Sequence, residues 1–100
     1  MTDRELLELA AKAAGVKHLS SEYYVSGPEL WDIERKRWWR PLTNDGDALR
    51  LAVQLGFSVE PGRCWHSHYG PAFGEDVLGG VMVATRRAIV RAAAEIGAQM

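Results

Sequence analysis

An α+β fold, with three helices packed on a small and mostly antiparallel sheet in the order α-β-β-α-β-β-α, is what this 100-residue chain predicts. Three observations carry that expectation. An alanine- and leucine-rich stretch with helix signals at both ends opens the chain. The run Trp38 to Ala52 joins an aromatic strand end, a proline stop, a helix cap and an apolar helix face. An Arg/Ala-rich amphipathic segment closes the chain, and residues of two-residue period lie between the helices. Amphipathic helices alternating with hairpins bury their stripes on an antiparallel sheet. One hundred residues suffice for a single domain with one core, so residues 1–100 are expected to form one α+β unit.

The first helix is announced by Thr2 and Glu5, spaced for a capping box in which each side chain accepts from the other's free backbone N–H. Leu6, Leu9, Ala10 and Ala13 recur at helical spacing, flanked by Leu7, Ala11 and Ala14, and Gly15 stands where a left-handed cap is wanted. The alanines predict close approach to a neighbouring element. After Val16 the period changes. Glu22 to Val25 is rich in strand formers and stops at Ser26-Gly27-Pro28. Leu30 to Glu34 and Arg37 to Arg40 read as strands joined around Arg35-Lys36. Trp31 and Ile33 alternate with Asp32 and Glu34, which predicts a buried apolar face and a wet acidic one. Pro41, lacking an N–H, ends the second strand.

Thr43 or Asn44 caps the second helix, with Asp45 and Asp47 in its first turn near the positive end of the dipole. Leu49, Leu51, Ala52, Val53 and Leu55 read as its apolar face, with Asp47, Arg50 and Gln54 opposite, and Gly56 ends it. Phe57 to Val59 and Arg63 to Tyr69 form a second hairpin about Glu60-Pro61-Gly62, where Pro-Gly suits a type II turn. Gly70 to Gly80 reads as a surface loop, with a short strand at Val81 to Val83. The last helix is expected over Ala84 to Ile96, with Ala88, Ile89, Ala92, Ala93 and Ile96 inward and Arg86, Arg87, Arg91 and Glu95 outward.

Composition excludes several function classes. A formal charge of −1 leaves no global field to gather nucleic acid or an anionic membrane. A lone cysteine, Cys64, precludes an internal disulfide and fits a reducing cytoplasm. The polar, acidic start has no basic and apolar leader pattern, and no apolar run is long enough to cross a bilayer. Neither export nor membrane insertion is therefore expected.

The Leu6-to-Gly15 helix, the run Trp39 to Ala52 and the closing Ala84 to Ala93 together resemble small phage and prophage proteins of the phage α-β-α sandwich group. The likeness extends over nearly the whole chain in order, through structural motifs. It implies a helix-flanked sheet in a protein working inside a bacterial host cell, and it brings no catalytic residue or cofactor with it. Ser21 to Lys36 and Glu60 to Gly80 depart most from the pattern, so differences in partner are expected there.

The sharpest candidate surface is Arg35-Lys36-Arg37-Trp38-Trp39-Arg40, joined by Trp31. Cations interleaved with indoles suit phosphate contacts and base stacking. Large aromatics beside arginine also dominate protein–protein hot spots, to which Tyr23, Tyr24 and Trp65 could contribute. Strand alternation forbids Trp38 and Trp39 sharing a face, so one is core and the other a surface anchor. The weaker candidates are Cys64, His66 and His68. They alternate on one strand and could hold zinc with Asp76 or His18, or supply a Cys/His nucleophile pair. Same-face neighbours on one strand cannot surround an ion, and the spacing matches no zinc signature, so no metal is assigned. Asp45-Gly46-Asp47 lacks the spaced ligands of a calcium loop, and Gly74 to Gly80 lacks the Lys-Ser/Thr ending of a phosphate loop.

The sequence thus ranks a non-enzymatic accessory protein first, one that binds a host or defence protein through Trp31 and Arg35 to Arg40. A small-ligand or nucleotide binder comes second, a nucleic-acid binder third and an enzyme last. A sheet edge or the alanine-rich first helix would support a homodimer.

Overall fold

The computed structural model describes residues 2–18, 29–66, 73–74 and 80–100. They form α1 (Asp3–Ala14), β1 (Leu30–Asp32), β2 (Arg37–Trp39), α2 (Asp45–Leu55), β3 (Phe57–Glu60), β4 (Arg63–His66), β5 (Phe73–Gly74) and α3 (Val81–Ala98). This is the α+β class, with every strand pair antiparallel and a short extra strand, β5, before the last helix. The expected strand at Glu22 to Val25, together with His68 and Asp76, lies outside the described residues.

Local chemistry accounts for the element ends. Thr2 and Glu5 make the reciprocal capping box of α1, and Gly15 closes it at φ 71°. Asn44, not Thr43, caps α2 by accepting from the Asp47 N–H. Gly62 takes φ 75°, the left-handed conformation that the Pro61-Gly62 turn requires. Its N–H donates to Thr85 Oγ1 at 2.8 Å, tying this hairpin to α3.

The strands form two small sheets, not one: β1–β2, and β3–β4–β5 with β4 in the middle. Pro41 and α2 separate them, because β2 turns straight into a helix instead of a third strand. The outer edge of β1 is met by the segment after α1, through a bridge between His18 and Asp32 and a bond from the Ile33 N–H to Lys17 O.

α3 is the hub. It packs on α1, α2, β3, β4 and β5, and its most extensive contact is with α1. Ala10 and Ala11 of α1 and Ala88, Ala92, Ala93 and Gly97 of α3 are all buried. Small residues let the two backbones come close, as the alanines predicted. That contact also consumes the alanine face of α1, which is therefore not free for a homodimer. Leu7 belongs to the buried stripe and Leu6 to its margin.

Several assignments of face and boundary differ from expectation. α3 starts at Val81, so Val81 to Val83 are helical and not a strand; Ala84 N–H bonds back to Gly80 O, and Thr85 Oγ1 donates to Val81 O. A long helix packed on two helices and three strands overrides three residues of β propensity. Arg86 is not on a solvated face, since it reaches Leu42 O at 2.9 Å and pairs with Asp45. Ile96 is half-buried. On α2 the buried stripe is Asp47, Ala48, Leu51 and Ala52, whereas Leu49 and Val53 are 61% and 71% exposed. A carboxylate with enough donors is buried in place of two aliphatic side chains. On β1 the wet and buried faces are exchanged: Asp32 is buried and Ile33, in the turn, is exposed.

Candidate functional site: the β1–β2 hairpin and its arginine cleft

Two buried aspartates build the site. Asp32 ends β1 and folds the turn that follows. Its Oδ1 accepts from the Glu34 and Arg35 N–H groups, both at 3.0 Å, while its carbonyl accepts from Lys36 N. Such a local side-chain bond competes with the ladder and stops the strand. Lys36 then takes a left-handed φ of 56°, which returns the chain into β2. Oδ2 of Asp32 binds the Arg35 guanidinium at 3.0 Å. Burial alone would raise the pKa of this carboxyl. The Arg35 N–H and guanidinium, with the Glu34 N–H, outweigh burial and hold it below its ordinary value.

Asp47, in the first turn of α2, is the second anchor and is 2% exposed. Its Oδ1 accepts from Arg37 at 2.7 Å and from Arg50 at 2.8 Å, and its Oδ2 from the Arg40 N–H at 2.8 Å. One carboxylate thus fixes β2, the strand-to-helix connection and α2 together. Charge-assisted bonds of this kind are roughly twice as strong as neutral ones.

Register decides what faces where. The pairs are Leu30 with Trp39, Trp31 with Trp38, and Asp32 with Arg37. Trp39, 9% exposed, joins Leu30 and Leu51 in the core. Trp38, 36% exposed, lies on the opposite face. There it meets Trp31 edge to face, with ring centroids 5.2 Å apart at 78°. The structure therefore divides the sequence candidates between two surfaces. Trp31 and Trp38 make an outer aromatic face, with Arg35 and Lys36 at the tip. Trp39 and Arg37 point to the α2 side. Arg40 is exposed, with its side chain 4.0 Å from Glu29.

The α2 side holds a cleft of about 80 Å³ lined by Arg35, Arg37, Arg50 and Gln54, with Val16, Trp39 and Leu51 as apolar wall and Asp32 and Asp47 within it. Asp32, Asp47 and Arg50 were not among the sequence candidates. A signal was available, since Asp32/Arg35 and Asp47/Arg50 are both i,i+3 Asp-Arg pairs. A second groove, apolar and about 140 Å³, runs between α2, β3 and α3 past Leu49, Val59 and Met82.

Cys64, on β4, does not present an open thiol. Cys64 is fully buried, and its thiol donates to Ala88 O at 3.1 Å. Burial pushes its pKa up to about 11. A thiolate nucleophile needs the opposite environment, with a cation or a helix N-terminus beside it. Among the described residues no cluster of His, Cys, Asp and Glu could hold a metal ion. His18 is engaged at the β1 edge, His66 lies on β4, and His68 and Asp76 fall outside the described residues. Trp65 is half-buried on β4, with the Arg63 guanidinium 5.7 Å from its ring centre; Tyr23 and Tyr24 are outside the described residues. With so high a pKa, only about one thiol in a thousand is ionised at pH 8. A water-soluble thiol reagent is expected to leave native Cys64 unlabelled over hours and to modify it fully in denaturant. Rapid labelling of the native protein would contradict its burial.

Compared with known proteins, the chain matches no family model, no curated protein and no solved structure.

Proposed function

We propose that this is a non-enzymatic binding protein that docks a host or defence protein through the outer face of the β1–β2 hairpin. The resemblance of the sequence to phage α-β-α sandwich proteins supports a partner in the cytoplasm of a bacterial host cell. The observation that carries the reading is the Trp31–Trp38 pair, two large rings set edge to face on a short hairpin whose tip carries Arg35 and Lys36. Rigid aromatics beside cations are the composition of interface centres. The hairpin is also braced from behind, Asp32 fixing its turn and Asp47 its second strand, so presenting it costs little ordering on binding. The cationic tip favours an acidic protein surface. The three helices act as scaffold. No described helix is long and apolar enough to cross a membrane.

The test is capture from nuclease-treated bacterial lysate by the tagged chain, beside a W31A/W38A double variant and a K36E variant. A specific protein should be recovered reproducibly by the wild type, with affinity falling at least about thirtyfold for W31A/W38A, as for hot-spot residues. K36E reverses an exposed charge and keeps the hairpin intact, so it covers the case in which the double variant misfolds. No reproducible protein, or undiminished recovery by both variants, would remove the proposal. Retention that vanishes with nuclease and falls steeply with salt would replace it with nucleic-acid binding.

A further inference from the structure

The cleft on the opposite side of the hairpin has a chemistry of its own. Asp32 and Asp47 are 1% and 2% exposed, and both oxygens of each already accept hydrogen bonds from within the chain. The guanidiniums that bind them are largely open to solvent: the side chains of Arg35, Arg37 and Arg50 are 64%, 46% and 63% exposed. Each guanidinium has more N–H donors than one carboxylate oxygen can take. Acceptors are thus consumed inside while donors remain at the mouth.

Placement sharpens this. Arg37 comes from β2 and Arg50 from α2, yet both bind the same Asp47 oxygen, so their terminal nitrogens stand within a few ångströms of each other. Arg35 borders the same cleft from the hairpin turn. Three cations against two carboxylates leave a net positive charge, and the carboxylates lie deeper than the cations. Arginines normally lose much side-chain freedom on clamping a ligand. Here the aspartates have already restricted them, which is how a pre-organised anion site is made.

We infer that this cleft binds a phosphate-type oxyanion, held by Arg35, Arg37 and Arg50. Three donors arriving from a turn, a strand and a helix match a tetrahedral group with several terminal oxygens better than a planar carboxylate with two. Gln54 adds a further match. Its amide nitrogen donates to Ala14 O at 2.6 Å, leaving the amide oxygen as an acceptor for the hydroxyl of a singly protonated phosphate. The apolar wall of Val16, Trp39 and Leu51 excludes water from one side of the bound group and strengthens its ionic contacts. The site uses the inner face of the hairpin and needs no macromolecular partner, so it stands or falls independently of the docking proposal.

The experiment is a titration of the intact chain with inorganic phosphate, adenosine 5′-monophosphate and acetate at constant ionic strength, followed by calorimetry and melting temperature. Phosphate is expected to bind saturably and raise the melting temperature, since a ligand of the native state stabilises it. Acetate should do so far less. R50Q, which removes one clamp without touching the core, should weaken phosphate binding by about tenfold or more, the loss of a charge-assisted bond. R91Q, on the exposed side of α3 away from the cleft, should respond like wild type. Tighter binding of the monophosphate names a nucleotide as the source of the group, and equal binding names free phosphate. No saturable response to either phosphate, acetate as effective as phosphate, or equal behaviour of R50Q and R91Q would overturn the inference. A heteronuclear NMR titration showing arginine side-chain shifts confined to Arg35, Arg37 and Arg50 gives a second readout if R50Q is unstable.

Discussion

Replacing Gly97 by alanine is expected to destabilise the protein more than almost any other single-methyl change. A Cβ at this position would stand 2.7 Å from the Leu9 carbonyl carbon, nearer still to its oxygen, and 3.2 Å from Leu9 Cα. These are backbone atoms in the middle of α1, so no side chain can swing aside. The two helices must separate, and separation loosens the tightly packed contact around Ala10, Ala11 and Ala93. Overpacking of a core commonly costs about 1–3 kcal/mol. Alanine returns up to about 1 kcal/mol through helix propensity, which is too little to reverse the sign. A net loss of about 2 kcal/mol or more should lower the melting temperature by roughly 10–15 °C in a domain of this size. Circular dichroism melting of G97A beside G15A measures it. Gly15 has open space where its Cβ would go, and its φ of 71° sets a cost of about 1 kcal/mol for leaving glycine. If G97A melts with the wild type, the close approach of α1 and α3 is wrong.

Asp47→Ala should follow closely, by a different mechanism. It removes the acceptor of Arg37, Arg50 and the Arg40 N–H in one step, cutting the joint between hairpin and α2. Breaking a fully buried ion pair costs about 3–5 kcal/mol. Arg37 and Arg50 are about half exposed and can turn to water, so about 2 kcal/mol is expected instead. The comparison is Asp45→Ala, which removes the partner of Arg86 at a carboxylate that is 60% exposed and should cost well under about 1 kcal/mol. Urea unfolding of the two variants tests the ordering. A D47A protein as stable as D45A would mean that Asp47 is not the joint described. D47A should also lose the phosphate response, because its arginines are no longer held together.

Much of this fold is legible in the sequence because its punctuation is local. Thr2/Glu5, Gly15, Asn44, Gly56 and Pro61-Gly62 act within a turn of their own positions, and each does what its chemistry requires. The opposite fates of Trp38 and Trp39 follow from the two-residue period of a strand. The misassigned faces of β1 and α2 have one common origin. Hydropathy assigns carboxylates outward and aliphatics inward, which exchanges the faces of β1 and misplaces Asp47, Leu49 and Val53 on α2, where Leu51 and Ala52 are buried as expected. Asp32 and Asp47 are inside because the chain supplies each with at least three donors, and Leu49 and Val53 are outside because nothing packs there. Donors from Arg37 and Arg40 lie ten and seven residues away from Asp47, a distance at which periodicity is silent. Strand alternation divides the two indoles between faces, but only the pairing register and the Asp47 anchor show that Arg37 lies on the α2 side and that Arg35 borders the same cleft.

The α1–α3 contact also constrains how the molecule comes into being. α1 finds its chief neighbour only in α3, far along the sequence, and Asp3 with Arg87 and Lys12 with the Met100 carbonyl fasten the same pair. On a translating ribosome, residues 3–14 must therefore wait with Leu7, Ala10 and Ala11 uncovered until α3 has emerged. Such long sequence separation slows folding and exposes nascent chains to chaperones and proteases. Stalled or prematurely terminated products should be cleared as unfolded material and should not accumulate as half-built domains.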